Sequence, residues 1–271
     1  MKLIIESGRA ERHYWHDLWR YRELFYFLAW RDFLVKYKQT VVGVGWALIK
    51  PLLTMTVLSV VFGRLGKMPS AGVPYPLLVF CGMLPWQFFS NALSESGSSL
   101  VNNANLISKI YFPRLLVPAS SIMTSMVDFA ISAVFLAILM VWYQVVPPIQ
   151  FFLLPAFVLL ALATSLSAGV WIAALMVEFR DFRAIVPFIV QFGLYVSPVG
   201  FHSGVVPEEF RLLYSLNPMV GVIDGFRWCI LGNQYTVYWT GFYISVAMVA
   251  LLLYTGIRYF QKTERTFADM I

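Results

Sequence analysis

Long apolar stretches separated by short, mostly basic breaks set the pattern of this chain. Six of them are long and apolar enough to cross a bilayer, which takes about 20 residues each. They run over 41–63, 74–93, 115–142, 151–177, 184–201 and 237–257. The third and fourth are the clearest, because Asp128 is the only charged residue between Leu115 and Val177. The second and fifth are short, and Lys50-Pro51 interrupts the first. The pattern predicts one all-α integral membrane domain over 1–271, with six transmembrane helices.

Two segments fit neither a span nor an ordinary loop. Residues 14–38 mix basic and aromatic positions, and helical spacing gathers Leu24, Phe27, Leu28, Leu34 and Val35 on one face. Arg31 intrudes on that face. The spacing predicts an N-terminal amphipathic helix lying in the cytoplasmic interface, with a soluble helical tail as the alternative. Residues 205–236 are half apolar but broken by Pro207, Glu208-Glu209, Asn217-Pro218, Asp224 and Arg227. No continuous lipid-facing helix could carry those breaks. Two short re-entrant helices shielded by protein, between spans five and six, would satisfy the backbone; a surface loop is the alternative.

Charge fixes the expected orientation, since Lys and Arg concentrate on the cytoplasmic side. With the N-terminus inside, the cytoplasmic segments hold fifteen of the 20 basic residues. Eight fall in 1–38, followed by Lys109, Arg114, Arg180, Arg183, Arg258, Lys262 and Arg265. The external segments hold only Arg64, Lys67, Arg211 and Arg227, and Lys50 sits in or beside the first span. Both termini are therefore expected in the cytoplasm. Composition agrees with a membrane protein: 59% of the 271 residues are hydrophobic and 13% are charged, with a mean hydropathy of +0.72. A soluble domain carries about 25% charged residues. The first 20 residues contain no apolar run, so no signal peptide is expected.

Motifs for chemistry are sparse. Gly66-Lys67 is followed by Met68 instead of Ser or Thr, so there is no P-loop. G-x-S-x-G and H-E-x-x-H are absent. Cys81 and Cys229 suggest neither a disulfide framework nor a metal site, and His13 and His16 have no third ligand in view. No cofactor or metal is expected on the chain, nor an enzymatic activity. Asp128, near the middle of the third span, must face protein or water or carry a proton. It reads either as a lining or switch residue, or as a buried carboxyl bonded to a neighbouring Ser, Thr or backbone group. In the 94–114 loop, Asn103, Leu106 and Ile110 fall at helical spacing and Pro113 ends the run. That describes a short cytoplasmic helix suited to dock on a soluble partner, or a plain connector. The compact 178–183 loop, Glu-Phe-Arg-Asp-Phe-Arg, offers a second docking point or a solvated turn. Trp86, Phe88, Phe89, Tyr111, Phe112 and Tyr195 could line a transport path, or form ordinary interfacial belts.

Five stretches in order complete the reading. They are Arg31-Asp32 through Lys50-Pro51, Asn105-Leu106 through Pro113-Arg114, Phe179-Arg180-Asp181-Phe182, Ser197-Pro198-Val199, and Asn217-Pro218-Met219 through Asp224-Gly225-Phe226-Arg227. With this span pattern, the chain resembles the ABC-2-type permeases that export O-antigen, capsule or teichoic-acid polymers. The resemblance implies a homodimeric channel in the bacterial inner membrane and a lipid-linked polysaccharide as cargo. It further implies two copies of a separate ABC-type ATPase subunit that bind ATP and Mg. Asn103, Asn105, Leu106, Lys109, Ile110, Glu178, Arg180 and Asp181 would then couple to that ATPase. Arg31, Lys36, Tyr37, Lys38 and Gln39 would belong to the interfacial helix and channel mouth. Asn217, Pro218, Asp224 and Arg227 would form the external gate. Membrane lipids are expected partners and nucleic acid is not. A same-family exporter of a small lipid or drug, and an ion-coupled secondary transporter dependent on Asp128, are the alternatives.

Overall fold

The computed structural model describes residues 10–38, 43–70, 72–232, 234–264 and 267, and among these it is all helical. In chain order the helices are α1 (Ala10–Arg20), α2 (Arg22–Lys38), α3 (Gly43–Leu58), α4 (Tyr75–Asn102), α5 (Ala104–Ile107) and α6 (Leu116–Trp142). They continue as α7 (Leu154–Glu178), α8 (Phe182–Val196), α9 (Glu208–Tyr214), α10 (Pro218–Leu231) and α11 (Trp239–Thr263). A π-helical turn, Ser59–Leu65, extends α3, and a 3₁₀ turn, Ile149–Leu153, leads into α7.

Five helical stretches among the described residues meet the length and apolarity of a membrane span: Leu48–Leu65, Tyr75–Asn102, Leu116–Trp142, Ile149–Glu178 and Trp239–Thr263. The expected span over 184–201 is only the 15-residue helix α8, with Pro187 inside it. At 1.5 Å per residue it covers about 22 Å, short of a hydrocarbon core of about 30 Å. Ser197 ends α8 with extended backbone.

The second apolar stretch is longer than the hydropathy predicts. α4 runs past residue 93 to Asn102, so the first part of the expected 94–114 loop is helix. Its serines do not break it, because their hydroxyls return to the helix's own carbonyls. Ser94 Oγ donates to Ser90 O at 2.9 Å, Ser98 Oγ to Ser94 O at 3.0 Å and Ser99 Oγ to Ser96 O at 2.6 Å. The small residues also admit α7 at close range. A Cβ on Gly97 would lie 2.7 Å from Ile172, and one on Gly169 would lie 2.7 Å from Ser96 Oγ. Such close backbone approach is how membrane helices gain packing contacts without a hydrophobic drive.

Two apolar clusters mark the ends of the bundle. One gathers Leu28, Leu100, Ile107, Leu115, Val177 and Phe260. It joins α2 to the last turns of α4, α7 and α11 and to the first turn of α6. The other gathers Leu77, Met140, Phe157, Val199, Met219 and Tyr235 around α10. Val186 of α8 packs with Leu93 and Met176 near the first end, whereas Val199, just past α8, belongs to the second cluster. The described N-terminal helices and the close of α11 thus lie at the same end.

The expected helix over 14–38 is two helices, divided at Tyr21. The expected face is split: Leu28 is buried, and Leu24 and Leu34 are half-buried. Tyr26, Phe27, Trp30 and Val35 are exposed, while Arg31 and Lys36 turn toward the bundle. The charges that spoil an amphipathic pattern are the ones with protein partners.

Candidate functional site

Three groups of polar residues stand out, one inside the bundle and one at each end. The first joins α2, α4 and α6. Lys36 Nζ donates to Glu95 Oε1 at 2.6 Å and to Asp128 Oδ2 at 2.6 Å. Tyr37 donates a short hydrogen bond to Asp128 Oδ1. Ser125 Oγ donates to Glu95 Oε2 at 2.6 Å. One turn earlier, Arg31 Nη2 donates to Asn103 Oδ1 at 2.7 Å. As α2 advances from 31 to 36, its partners on α4 retreat from 103 to 95, so the two helices run antiparallel. Burial opposes the charged form of Lys36, but the two carboxylates outweigh it and hold its pKa above the ordinary lysine value. The arrangement pins the end of α2 between two apolar helices with one cation and two anions.

The sequence places Asp128, Lys36 and Tyr37 in two different groups; the structure brings them together. Asp128's partners are a lysine and a tyrosine from the N-terminal helix, not the Ser, Thr or backbone group expected of a buried carboxyl. Glu95 is missed by sequence reasoning, because it falls in a stretch read as loop. Its position two residues after Leu93, followed by Ser and Gly at helical packing positions, is the signal that could have found it. Lys38 is exposed, and Gln39 lies outside the described residues.

The second group lies at the end marked by Ile107 and Val177. Asn103 closes α4 by donating from Nδ2 to Ser99 O at 2.8 Å. The short helix expected in the loop is α5, a single turn, because the residues before 103 belong to α4. Leu106 packs against the cluster while Asn105, Lys109 and Ile110 are exposed. Glu178, Arg180 and Asp181 are exposed too, and Tyr259 donates a short hydrogen bond to Glu178. Val177 and Ile107 share a cluster, so these two turns emerge from the same end of the bundle. Unpredicted neighbours tie that end together. Arg114 N donates to Glu264 Oε1 at 2.7 Å, and Arg114 Nη1 donates to Glu264 O. Tyr14 is buried against the same carboxylate. Burial pushes Glu264 up from the ordinary carboxylate range, opposed by Arg114 and Tyr14.

The third group is at the opposite end. The 205–236 segment folds as α9 and α10, two short helices. Asn217 starts α10: its Oδ1 accepts from Met219 N at 3.0 Å, and its Nδ2 donates to Ser197 Oγ at 2.9 Å. Pro218 occupies the first helical position, where its missing N–H costs nothing. Arg227 is fully buried. It donates to Phe201 O at 2.7 Å, to Val199 O at 2.8 Å and to Leu78 O at 3.3 Å, joining α10 to α4 and to the chain after α8. Gly82 makes room for it, since a Cβ there would sit 2.6 Å from Arg227 Nη2. Asp224, one turn before Arg227, is buried, and burial raises its pKa to about 6 against the opposing pull of Ser203 and Arg227.

The aromatic residues divide. Trp86, Phe88 and Phe112 are buried inside the chain and line no surface of it. Tyr111 and Tyr195 are exposed. Exposed Phe188 and Phe192 stack with centroids 5.9 Å apart, and with Tyr195 they form an outward stripe along α8.

The chain is 28% identical over 214 residues to the O-antigen export system permease protein RfbA of Myxococcus xanthus, covering 78% of this chain and 81% of that protein. It is 24% identical over 248 residues to RfbA of Klebsiella pneumoniae, covering 89% and 92%. It is 24% identical over 235 residues to the capsule polysaccharide export inner-membrane protein CtrC of Neisseria meningitidis, covering 83% and 86%. The profile of the family described as ABC-2 type transporter matches residues 23–231, from the start of α2 to the end of α10. This multi-pass membrane protein therefore belongs to the ABC-2 type transporter family.

Proposed function

We propose that this chain is the channel-forming permease of an ATP-driven exporter of a lipid-linked, O-antigen-like polysaccharide. One observation carries the reading: its alignment over 248 residues with a protein named an O-antigen export permease. The absence of a P-loop fits an energy source on another chain. In this reading α8 is the sixth membrane crossing, completed by the turn after it. The end bearing α5 and the 179–181 turn faces the cytoplasm, with both termini, in a bacterial inner membrane. Two permease copies form the path, and two ABC-type ATPase subunits, carrying ATP and Mg, dock on the exposed Asn105, Lys109, Ile110, Arg180 and Asp181. α2 lies at the channel mouth, and α9 and α10 form the external gate.

Asp128 bears on the ion-coupled alternative. An ion-coupled transporter needs a carboxylate free to exchange its ion. Asp128 is engaged on both oxygens by Lys36 and Tyr37, which fits a structural tie better.

The test is to purify tagged protein from native membranes in mild detergent and to delete the gene in parallel. The reading expects a stoichiometric ATPase subunit in the preparation. It also expects loss of surface polysaccharide, with polymer accumulating inside the deletion strain. A permease that stays free of ATPase after crosslinking, with unchanged surface polymer in the deletion strain, would overturn it.

A further inference from the structure

Behind α9, at the end opposite the N-terminal helices, is a cavity of about 190 Å³. Its walls come from the 202–204 turn, the end of α9, α10 and the start of α11. Two buried polar atoms on this wall, Asp224 Oδ1 and the Tyr214 hydroxyl, make no hydrogen bond among the described residues. Asp224 is only 6% exposed. A buried carboxylate oxygen and a buried phenol are rarely left unpaired in a folded protein, so each calls for an explanation.

Charge narrows what could pair with them. Arg211 lines the same cavity, held by Val206 O at 3.1 Å and Gly204 O at 3.4 Å. Burial and the nearby Arg227 lower the His202 pKa to about 4, so this wall residue is neutral near pH 7. The lining thus offers one carboxylate and one guanidinium. A cation would meet Arg211, and an anion would meet Asp224. A neutral molecule rich in hydroxyls meets neither penalty. It can donate to Asp224 Oδ1 and exchange hydrogen bonds with Tyr214. Tyr238 and Phe242 supply aromatic walls against which an apolar C–H face can pack. At about 30 Å³ per water, the volume holds roughly six waters, the bulk of one six-membered sugar ring.

We propose that this cavity binds a single neutral pyranose ring, with Asp224 and Tyr214 as its hydrogen-bonding residues. The proposal rests on the reading of the chain as a polysaccharide exporter, and it gives the gate segment a direct contact with a sugar unit. A gate that holds one ring at a time would grip a passing polymer without distinguishing its length.

Saturation-transfer NMR on the full chain in detergent tests this. The probes are methyl α-mannopyranoside, methyl β-glucopyranoside and methyl α-galactopyranoside at millimolar concentration. Transfer to at least one glycoside is expected, reduced at least fivefold in Tyr214→Phe, which removes a single oxygen. Asp224→Asn should act in the same direction. Should that variant not fold, Tyr214→Phe decides alone. No transfer to any of the three, or equal transfer to wild type and Tyr214→Phe, would overturn the site. Polymer display in the host separates the two readings. Intact gene-dependent export with no glycoside binding sinks the cavity site and leaves the exporter standing. Tyr214-dependent binding with unchanged polymer in the deletion strain keeps the site and sinks the exporter.

Discussion

Replacing Lys36 with Met should cost more than removing either of its partners. The lysine holds two carboxylates, each at 2.6 Å, and the side chains of Lys36, Glu95 and Asp128 are 32%, 30% and 13% exposed. Removing one member of a fully buried pair costs about 3–5 kcal/mol. Partial exposure of Lys36 and Glu95 discounts that by roughly half, to about 2 kcal/mol. Lys36→Met should therefore lose about 2 kcal/mol. Asp128→Asn keeps the Lys36–Glu95 pair and should lose about 1 kcal/mol. In the double variant Lys36→Met/Asp128→Asn, a single carboxylate remains, so it should recover stability relative to Lys36→Met alone. Reversible unfolding in mixed micelles reads all three. Losses that simply add in the double variant, or a Lys36→Met loss below that of Asp128→Asn, would refute the shared-lysine account.

Three further outcomes follow from the two ends. Arg227→Lys keeps the charge but cannot fork to three carbonyls, so it should destabilise by about 2–4 kcal/mol; Gly82→Val should act alike by displacing the guanidinium, and near-native unfolding of both would contradict the keystone role. His202 has a folded pKa below its ordinary 6.5, so the contribution of its neutral ring is complete above pH 6.5 and is lost as pH falls toward 4. His202→Gln should accordingly flatten the acid-side decline of apparent melting temperature in that window, and a curve parallel to wild type would count against it. If the chain acts as the proposed exporter, Asn105→Arg, at an exposed position, should leave the permease folded while separating ATPase turnover from export in the reconstituted complex; normal export would remove the proposed coupling role from this turn.

Hydropathy alone revealed the membrane class and most of the spans, because burial in lipid demands long runs of apolar residues whatever their neighbours are. It also separated α9 from α10, since Asn217-Pro218 is a helix start that needs no tertiary partner. Helix ends and polar pairings were different. Ser94, Glu95 and Ser96 read as loop because polar residues score alike whether solvated or paired. Only the tertiary structure supplies Lys36, Ser125 and the close approach of α7 that keep α4 helical to Asn102. The direction faced by α2 was likewise decided there, since periodicity shows that a helix has two faces and not which one meets protein. Asp128 shows the same limit: its sequence position says that a carboxyl in an apolar span needs a partner, but the partner is 92 residues away and comes from packing. Local propensity and transfer to lipid are properties of a segment and can be read from it. Ion pairs between distant helices exist only once the bundle has formed.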